Sequence, residues 1–241
     1  MENKSYSKLM RTDDAPYIRA LAADCGLATN YRAESHPSLP NYVAMTSGST
    51  QGVTDDAGPS AHRLAAPSIF SQLGRDWRSL EESMSSPCQR QNSGAYAVRH
   101  NPAAYYTRLR PSCAARDIPL ANPPDLSARF TFITPNLCND MHDCGITTGD
   151  RWLATWMPRI LGSREYRSGG TAIFLTWDEN DGSAGNHVLT LVVSPYTPIG
   201  TRSGARFDHY SLLRTTEELL RLRPNLGAAA RASDMRAAFG L

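Results

Sequence analysis

The chain has 241 residues, an apolar share of 41% and a formal net charge of +2. That length and composition suit one globular α/β domain, and so small a charge gives no signal for nucleic acid or an anionic membrane surface as partner. No apolar run is long enough to span a bilayer, and no basic-then-apolar leader opens the chain.

The elements follow in chain order. Asp13 or Asp14 caps a first helix, Pro16 suits its first turn, and Ile18, Leu21 and Ala22 form its apolar face before Cys25-Gly26 ends it. In the stretch Glu34 to Gly48, Pro37 and Pro40 bracket Ser38 and predict a rigid, extended loop that aims one hydroxyl. Tyr42 to Gly48 reads as helical or extended. Residues 47–66 are a polar loop. A second helix is predicted from Ser68, with Ile69, Phe70, Leu73, Trp77 and Leu80 on one stripe. Residues 83–127 are irregular and read as a binding loop or lid within the single domain 1–241.

Arg129 to Ile133 alternates as a strand does. A helix from about Thr147 carries Trp152, Leu153, Trp156 and Ile160, with Pro158 predicting a kink. Thr171–Trp177 and His187–Val193 are apolar strands, and a last helix starts near Ser211. Residues after Asn225 could add one more. Helices alternating with buried strands predict a mainly parallel sheet covered on both faces. Sites in such sheets gather at the carboxyl ends of strands. Asp140 and His142 follow one strand, and Asp178 and Glu179 follow another.

Ser38 is a hydroxyl nucleophile candidate, and Asn41 offers an amide donor three residues on. Adjacent Asp178 and Glu179 could bind a hard divalent ion through oxygen; a solvated acidic turn is the plainer reading. His142, set between Asp140 and Asp143, is held protonated more easily by those acids, which suits anion binding or acid catalysis. No Gly-x-Ser-x-Gly elbow, Walker loop, dinucleotide fingerprint or His-Glu-x-x-His occurs.

Ser38-Leu39-Pro40-Asn41, in the fuller frame His36-Pro37-Ser38-Leu39-Pro40-Asn41-Tyr42, resembles the nucleophile motif of the alkaline phosphatase superfamily. Within it, the chain resembles the bacterial phosphoesterase family of acid phosphatases and phospholipases C. Glu2-Asn3, the Asn139–His142 loop, Trp177-Asp178-Glu179 and the His209–Thr215 segment carry the same likeness in order. The resemblance implies an alkaline phosphatase-like fold whose usual first strand, which ends in the Glu-Asn pair, is missing here. It also implies a divalent metal held by Glu2, Asn3, Asp178 and Glu179, with Asn41 and His142 donating to phosphoryl oxygens. His100, Asp140, His187 and His209 are implied pocket residues, although Asn186 stands where the family often has Asp. A sulfatase of the superfamily would carry Arg at position 42, which is Tyr here.

Among the five cysteines, Cys138 and Cys144 could close a short loop and Cys88 and Cys113 a longer one, leaving Cys25 free. Five unpaired buried thiols are the alternative. Disulfides fit the exported members of the family and an oxidising compartment, so a secreted or extracytoplasmic enzyme is expected. The expected reaction is hydrolysis of a small-molecule or lipid phosphate monoester through a phosphoseryl intermediate. A phospholipase C-type phosphodiesterase and a non-catalytic binding domain are the alternatives. Metal identity, oligomeric state and whether the native chain starts upstream of Met1 are not written in these residues.

Overall fold

The computed structural model describes residues 1–183 and 185–241. Its helices and strands run α1 (Tyr6–Arg11), α2 (Pro16–Asp24), β1 (Gly26–Arg32), α3 (Ser38–Ser47), α4 (Ile69–Gln72), β2 (Trp77–Glu81), β3 (Asp117–Pro119) and β4 (Phe130–Thr134). They continue as α5 (Ile146–Leu161), α6 (Arg164–Arg167), β5 (Ile173–Thr176), β6 (His187–Val193), β7 (Arg202–Ser203), β8 (Phe207–Asp208), α7 (His209–Leu219) and α8 (Arg236–Phe239).

The strands form two sheets. In the first, β5, β6 and β1 lie side by side, and β7 and β8 both pair with the far edge of β1. β6 is antiparallel to both its neighbours, while β7 and β8 run parallel to β1. In the second sheet β2 lies between β3 and β4, all parallel. Six of the seven β6 residues are buried, as a strand covered on both faces requires. One apolar core joins β1, β5 and β6 to α2 and α5 through residues such as Leu27, Val188, Leu191, Ile18 and Leu153. A second packs Phe70 and Trp77 against Leu39 and Val43 of α3 and against Tyr105 and Tyr106 of the long loop.

The edges of β4 and β5 are unpaired among the described strands. An apolar cavity of about 490 Å³ lies between them, lined by Phe130, Phe132, Ile133, Ile173 and Phe174. Met1 sits at its end. The Met1 amino group donates to the Thr176 carbonyl at 3.2 Å, and the Asp178 N–H donates to the Met1 carbonyl at 3.0 Å. That is parallel pairing with the end of β5.

Three expectations need correction. Ser38 is not on an extended loop: it is the first residue of α3, and Pro37 is the residue that caps it. Pro40 fits because it stands in the first helical turn, where its missing N–H has no partner to lose. The stripe from Ile69 to Leu80 is not one helix. The helix ends after Gln72, Gly74 adopts φ +61°, and Trp77 to Leu80 belong to a strand paired on both sides. The helical spacing of Trp77 and Leu80 is a coincidence of a strand buried on both faces. Finally, α5 runs through Pro158 to Leu161, and α1 and β1 had no counterpart in the expected elements.

Both disulfides, Cys88–Cys113 and Cys138–Cys144, are present, and Cys25 is free. The first ties the long loop to β3 through the Cys88 N–H, which donates to Asp117.

Candidate active site

The helix α3 explains the position of Ser38. Its N-terminus follows the turn after β1, and its residues from Ser38 to Ser47 are all buried. Ser38 and Tyr42 are four residues apart and share one helical face. The Ser38 hydroxyl lies 3.0 Å from Glu2 Oε2 and 3.3 Å from Glu179 Oε1. The Tyr42 hydroxyl donates to the other Glu2 oxygen, Oε1.

Glu2 is held by its main chain. Its own N–H donates to the Asp140 carbonyl at 2.8 Å, and Met1 is fixed to β5 as described. The loop after β4 and the end of β5 therefore bring Asp140, Glu2, Asp178 and Glu179 to one point, at the carboxyl ends of both strands. Glu2 and Asp140 are fully buried, and Asp178 and Glu179 nearly so.

Four carboxylates so close in a dry site cannot all stay charged without a cation. Burial first, then Glu2 and Glu179, push the Asp178 carboxyl well above its ordinary range. Burial, then the charge of Glu2, raises Glu179 to about 8. Burial raises Asp140 to about 7. Several acceptors also lack hydrogen-bond partners: Asn3 Oδ1 and both Asp178 oxygens. Buried acceptors without donors are costly, and an oxygen-rich set of this kind fits a hard divalent ion. Of the expected ligands, Asn3 Oδ1 and the Asp178 oxygens are buried without partners, and Glu2 and Glu179 both face Ser38. Glu2, His100 and Asp140 form an overlapping set, with ligand atoms within 4.8 Å of one another.

The histidines divide. His100 is buried between Glu2, 3.5 Å from Nε2, and Asp140, 3.1 Å from Nδ1. Burial, opposed by Glu2, lowers it to about 4. His142 stands beside it, with ring centroids 5.7 Å apart. Its Nδ1 meets Asp143 at 2.6 Å and its Nε2 meets Arg99 Nη2 at 3.1 Å. His209 lies beneath the site: Nε2 donates to the Asp178 carbonyl at 2.6 Å, so Nδ1 is the acceptor for the Tyr31 hydroxyl. It positions the main chain of Asp178. His187 stacks on Tyr6 and its Nε2 meets the Thr29 carbonyl. The structure gives it no contact with the carboxylate cluster.

Asn41 has a different task from the one expected. Its Nδ2 donates to the Ser35 and Pro37 carbonyls, and its Oδ1 accepts the Glu34 and Ser35 N–H groups. Both donors are spent on the loop that leads to Ser38, so they are not free for a phosphoryl oxygen. Asn186, in place of the family's Asp, accepts from the Asn180 N–H and donates to the Ser35 carbonyl, bracing the Glu179 turn against that same loop.

Sequence reasoning passed over four residues. Tyr42 becomes visible only once α3 is known to start at Ser38. His36, which opens the nucleophile frame, has its Nδ1 against Glu179 Oε2. Asp56, in the polar loop, accepts the Leu39 N–H at 2.9 Å. Arg99 carried no signal beyond its place beside His100.

Comparison with known proteins identifies the family. A model of the Phosphoesterase family matches residues 3–223. The chain is 29% identical over 248 residues to a phosphatidylinositol-3-phosphatase of Mycobacterium tuberculosis, covering 99% of this chain and 80% of that protein. It is 31% identical over 223 residues to a phosphate-repressible acid phosphatase of Penicillium chrysogenum, covering 81% of this chain and 52% of the relative. The chain thus spans about half the length of that fungal relative. A solved structure of a protein in the alkaline phosphatase superfamily from Vibrio parahaemolyticus superposes with a TM-score of 0.59 at 11% identity, covering 98% of this chain and 70% of that one. At that identity the likeness speaks for the fold alone.

Proposed function

The chain belongs to the phosphoesterase family and is a phosphoric ester hydrolase, and on that premise we propose that it cleaves phosphate monoesters through a phosphoseryl intermediate with a divalent ion in the site. The observation that carries this reading is the Ser38 hydroxyl, 3.0 and 3.3 Å from two buried carboxylates at the start of a buried helix.

A nucleophile needs a lone pair free on the substrate side and a proton acceptor behind it. The Ser38 proton is directed at Glu2 and Glu179, which leaves the oxygen free to attack phosphorus in line. A bond forms from Ser38 Oγ to phosphorus as the bond to the leaving alcohol oxygen breaks. His142, held at Nδ1 by Asp143, accepts from Arg99 at Nε2 in the free site; once that nitrogen has taken a proton from water it supplies it to the leaving oxygen. Water then adds to phosphorus, and the Ser38 ester bond breaks to give phosphate and the free hydroxyl. Glu2, Asn3, Asp178 and Glu179 would hold a divalent ion, which would lower the pKa of the Ser38 hydroxyl and offset phosphoryl charge. Asn41 acts by holding the loop that aims Ser38, and His209 by fixing the Asp178 main chain.

The relatives named phosphatases favour a monoester over a phospholipase C-type diester. The M. tuberculosis relative is named for a lipid phosphate, so the substrate alcohol extends in this proposal from small molecules to lipids. Two disulfides fit work in an oxidising, extracytoplasmic compartment.

The test is hydrolysis of an aryl phosphate by wild type and Ser38→Ala, with and without chelator. Ser38→Ala is expected to lose at least ~10³-fold in kcat with an unchanged melting temperature, and chelation to abolish wild-type turnover. Near-normal turnover in Ser38→Ala would remove the phosphoseryl mechanism. Chelator-resistant turnover would remove the metal.

A further inference from the structure

We propose that Arg99 is the cation that reads the second negative charge of the phosphoryl group, and that it thereby sets this site for monoester dianions against diester monoanions. The proposal deepens the monoesterase reading above and rests on it for the identity of the substrate.

Arg99 lies in a short 3-10 turn, Val98–His100, directly before the histidine wedged between Glu2 and Asp140. Its side chain is only 17% exposed. A buried guanidinium ordinarily spends its five N–H donors on carboxylates or carbonyls. This one does not. Nε is buried with no hydrogen-bond partner. Its nearest carboxylate oxygen, Asp56 Oδ2, is 3.8 Å away, beyond hydrogen-bond reach. Nη2 meets only a ring nitrogen, His142 Nε2, at 3.1 Å.

The two neighbours fix where the group stands. Asp56 holds the N–H of Leu39, the residue after the nucleophile, through its other oxygen. His142 is the residue assigned to the leaving oxygen. Arg99 therefore bridges the start of α3 and the acid. Lys4 Nζ donates to the Met141 carbonyl at 2.7 Å. Arg99 keeps both charge and free donors at this edge of the site.

A planar fork with spare N–H groups matches two oxygens of one phosphoryl group. A monoester presents three terminal oxygens and two negative charges at neutral pH, whereas a diester presents two oxygens and one charge. Metal and Ser38 act on both substrates alike; Arg99 acts on the difference. When the guanidinium turns onto the phosphoryl oxygens it also releases His142 Nε2, which can then take up the proton that the leaving oxygen needs.

The experiment pairs binding with turnover. In the Ser38→Ala background, with divalent ion present, inorganic phosphate and dimethyl phosphate are titrated against the chain carrying Arg99, Arg99→Gln or Arg99→Lys. Arg99→Gln is expected to weaken phosphate by ~30-fold or more and dimethyl phosphate by no more than ~3-fold, with Arg99→Lys intermediate for phosphate. In the active background, kcat/KM for an aryl monoester should fall by ~100-fold or more in Arg99→Gln. Equal weakening of both ligands, or unchanged phosphate affinity, would overturn the proposal and leave Arg99 a tether between the Asp56 and His142 loops. Arg99→Lys keeps the test open should Arg99→Gln not fold. If wild type turns over no monoester while Arg99 still discriminates phosphate from dimethyl phosphate, the monoesterase reading fails and the dianion clamp stands.

Discussion

Tyr42 shows how much one hydroxyl contributes at this site. It donates to Glu2 Oε1 while Ser38 approaches Glu2 Oε2, so the carboxylate is oriented from two positions one helical turn apart. Partners that orient a ligand oxygen typically contribute 10- to 100-fold in metal affinity. Tyr42→Phe is accordingly expected to weaken divalent binding by about 10- to 100-fold while leaving the fold intact, as read by calorimetric titration of the metal-free protein. Unchanged affinity would mean that Glu2 does not hold the ion.

At the scale of elements, α3 depends on its end as well as its start. Gly48 closes it at φ +73°, and a Cβ there would lie 2.1 Å from the Leu226 carbonyl oxygen. The same residue's carbonyl accepts the Ala228 N–H at 2.7 Å. Gly48→Ala therefore combines a left-handed backbone with a clash against main chain, and it is expected to destabilise by at least ~2 kcal/mol in urea unfolding.

The strand β2 carries a different constraint. Glu81 and Asp117 are buried side by side on paired strands, with Asn101 donating to Asp117 at 2.8 Å. Burial raises Asp117 to about 7. Between its unfolded value near ~3.9 and about 7, the folded chain keeps a proton that the unfolded chain has lost. Stability must fall as pH rises through that window and level off above it. The stability difference between wild type and Asp117→Asn should change by up to about 1.4 kcal/mol per pH unit there. A flat difference would show that the pair is not protonated when folded.

For the whole molecule, the site is where the two sheets meet. Glu2 hangs on the end of β5 and Asp140 follows β4, with the buried His100 between them; a cation held there would tie the two sheets together. A divalent ion that binds only the folded chain adds about 2.7 kcal/mol at a hundredfold excess over Kd. The melting temperature should therefore rise by roughly 5–10 °C with ion and fall with chelator. The unpaired edges of β4 and β5 beside the apolar cavity give a second expectation. Their cavity-facing amides should exchange with solvent faster than those of β6, which is paired on both sides.

Local chemistry is what the sequence alone determined. The strands at 130–134, 173–176 and 187–193 are legible because β-branched and aromatic runs end in polar turns. Ser38 was singled out by its likeness to a nucleophile motif, and Asp178 and Glu179 by that likeness and their place at a strand's end. Disulfides were expected from the family resemblance, but their connectivity was not readable from the sequence; the structure pairs Cys88 with Cys113 and Cys138 with Cys144. Only the tertiary structure decided which polar groups remain unspent. Asn41 looked like a donor to substrate until its amide proved committed to the loop before Ser38. His187 looked like a pocket residue until the strand register turned it onto Tyr6. Arg99 looked like nothing until the fold left its Nε buried and unpaired. A residue type fixes which hydrogen bonds a group can make, but its partners arrive from distant parts of the chain, and only packing determines which of them are present.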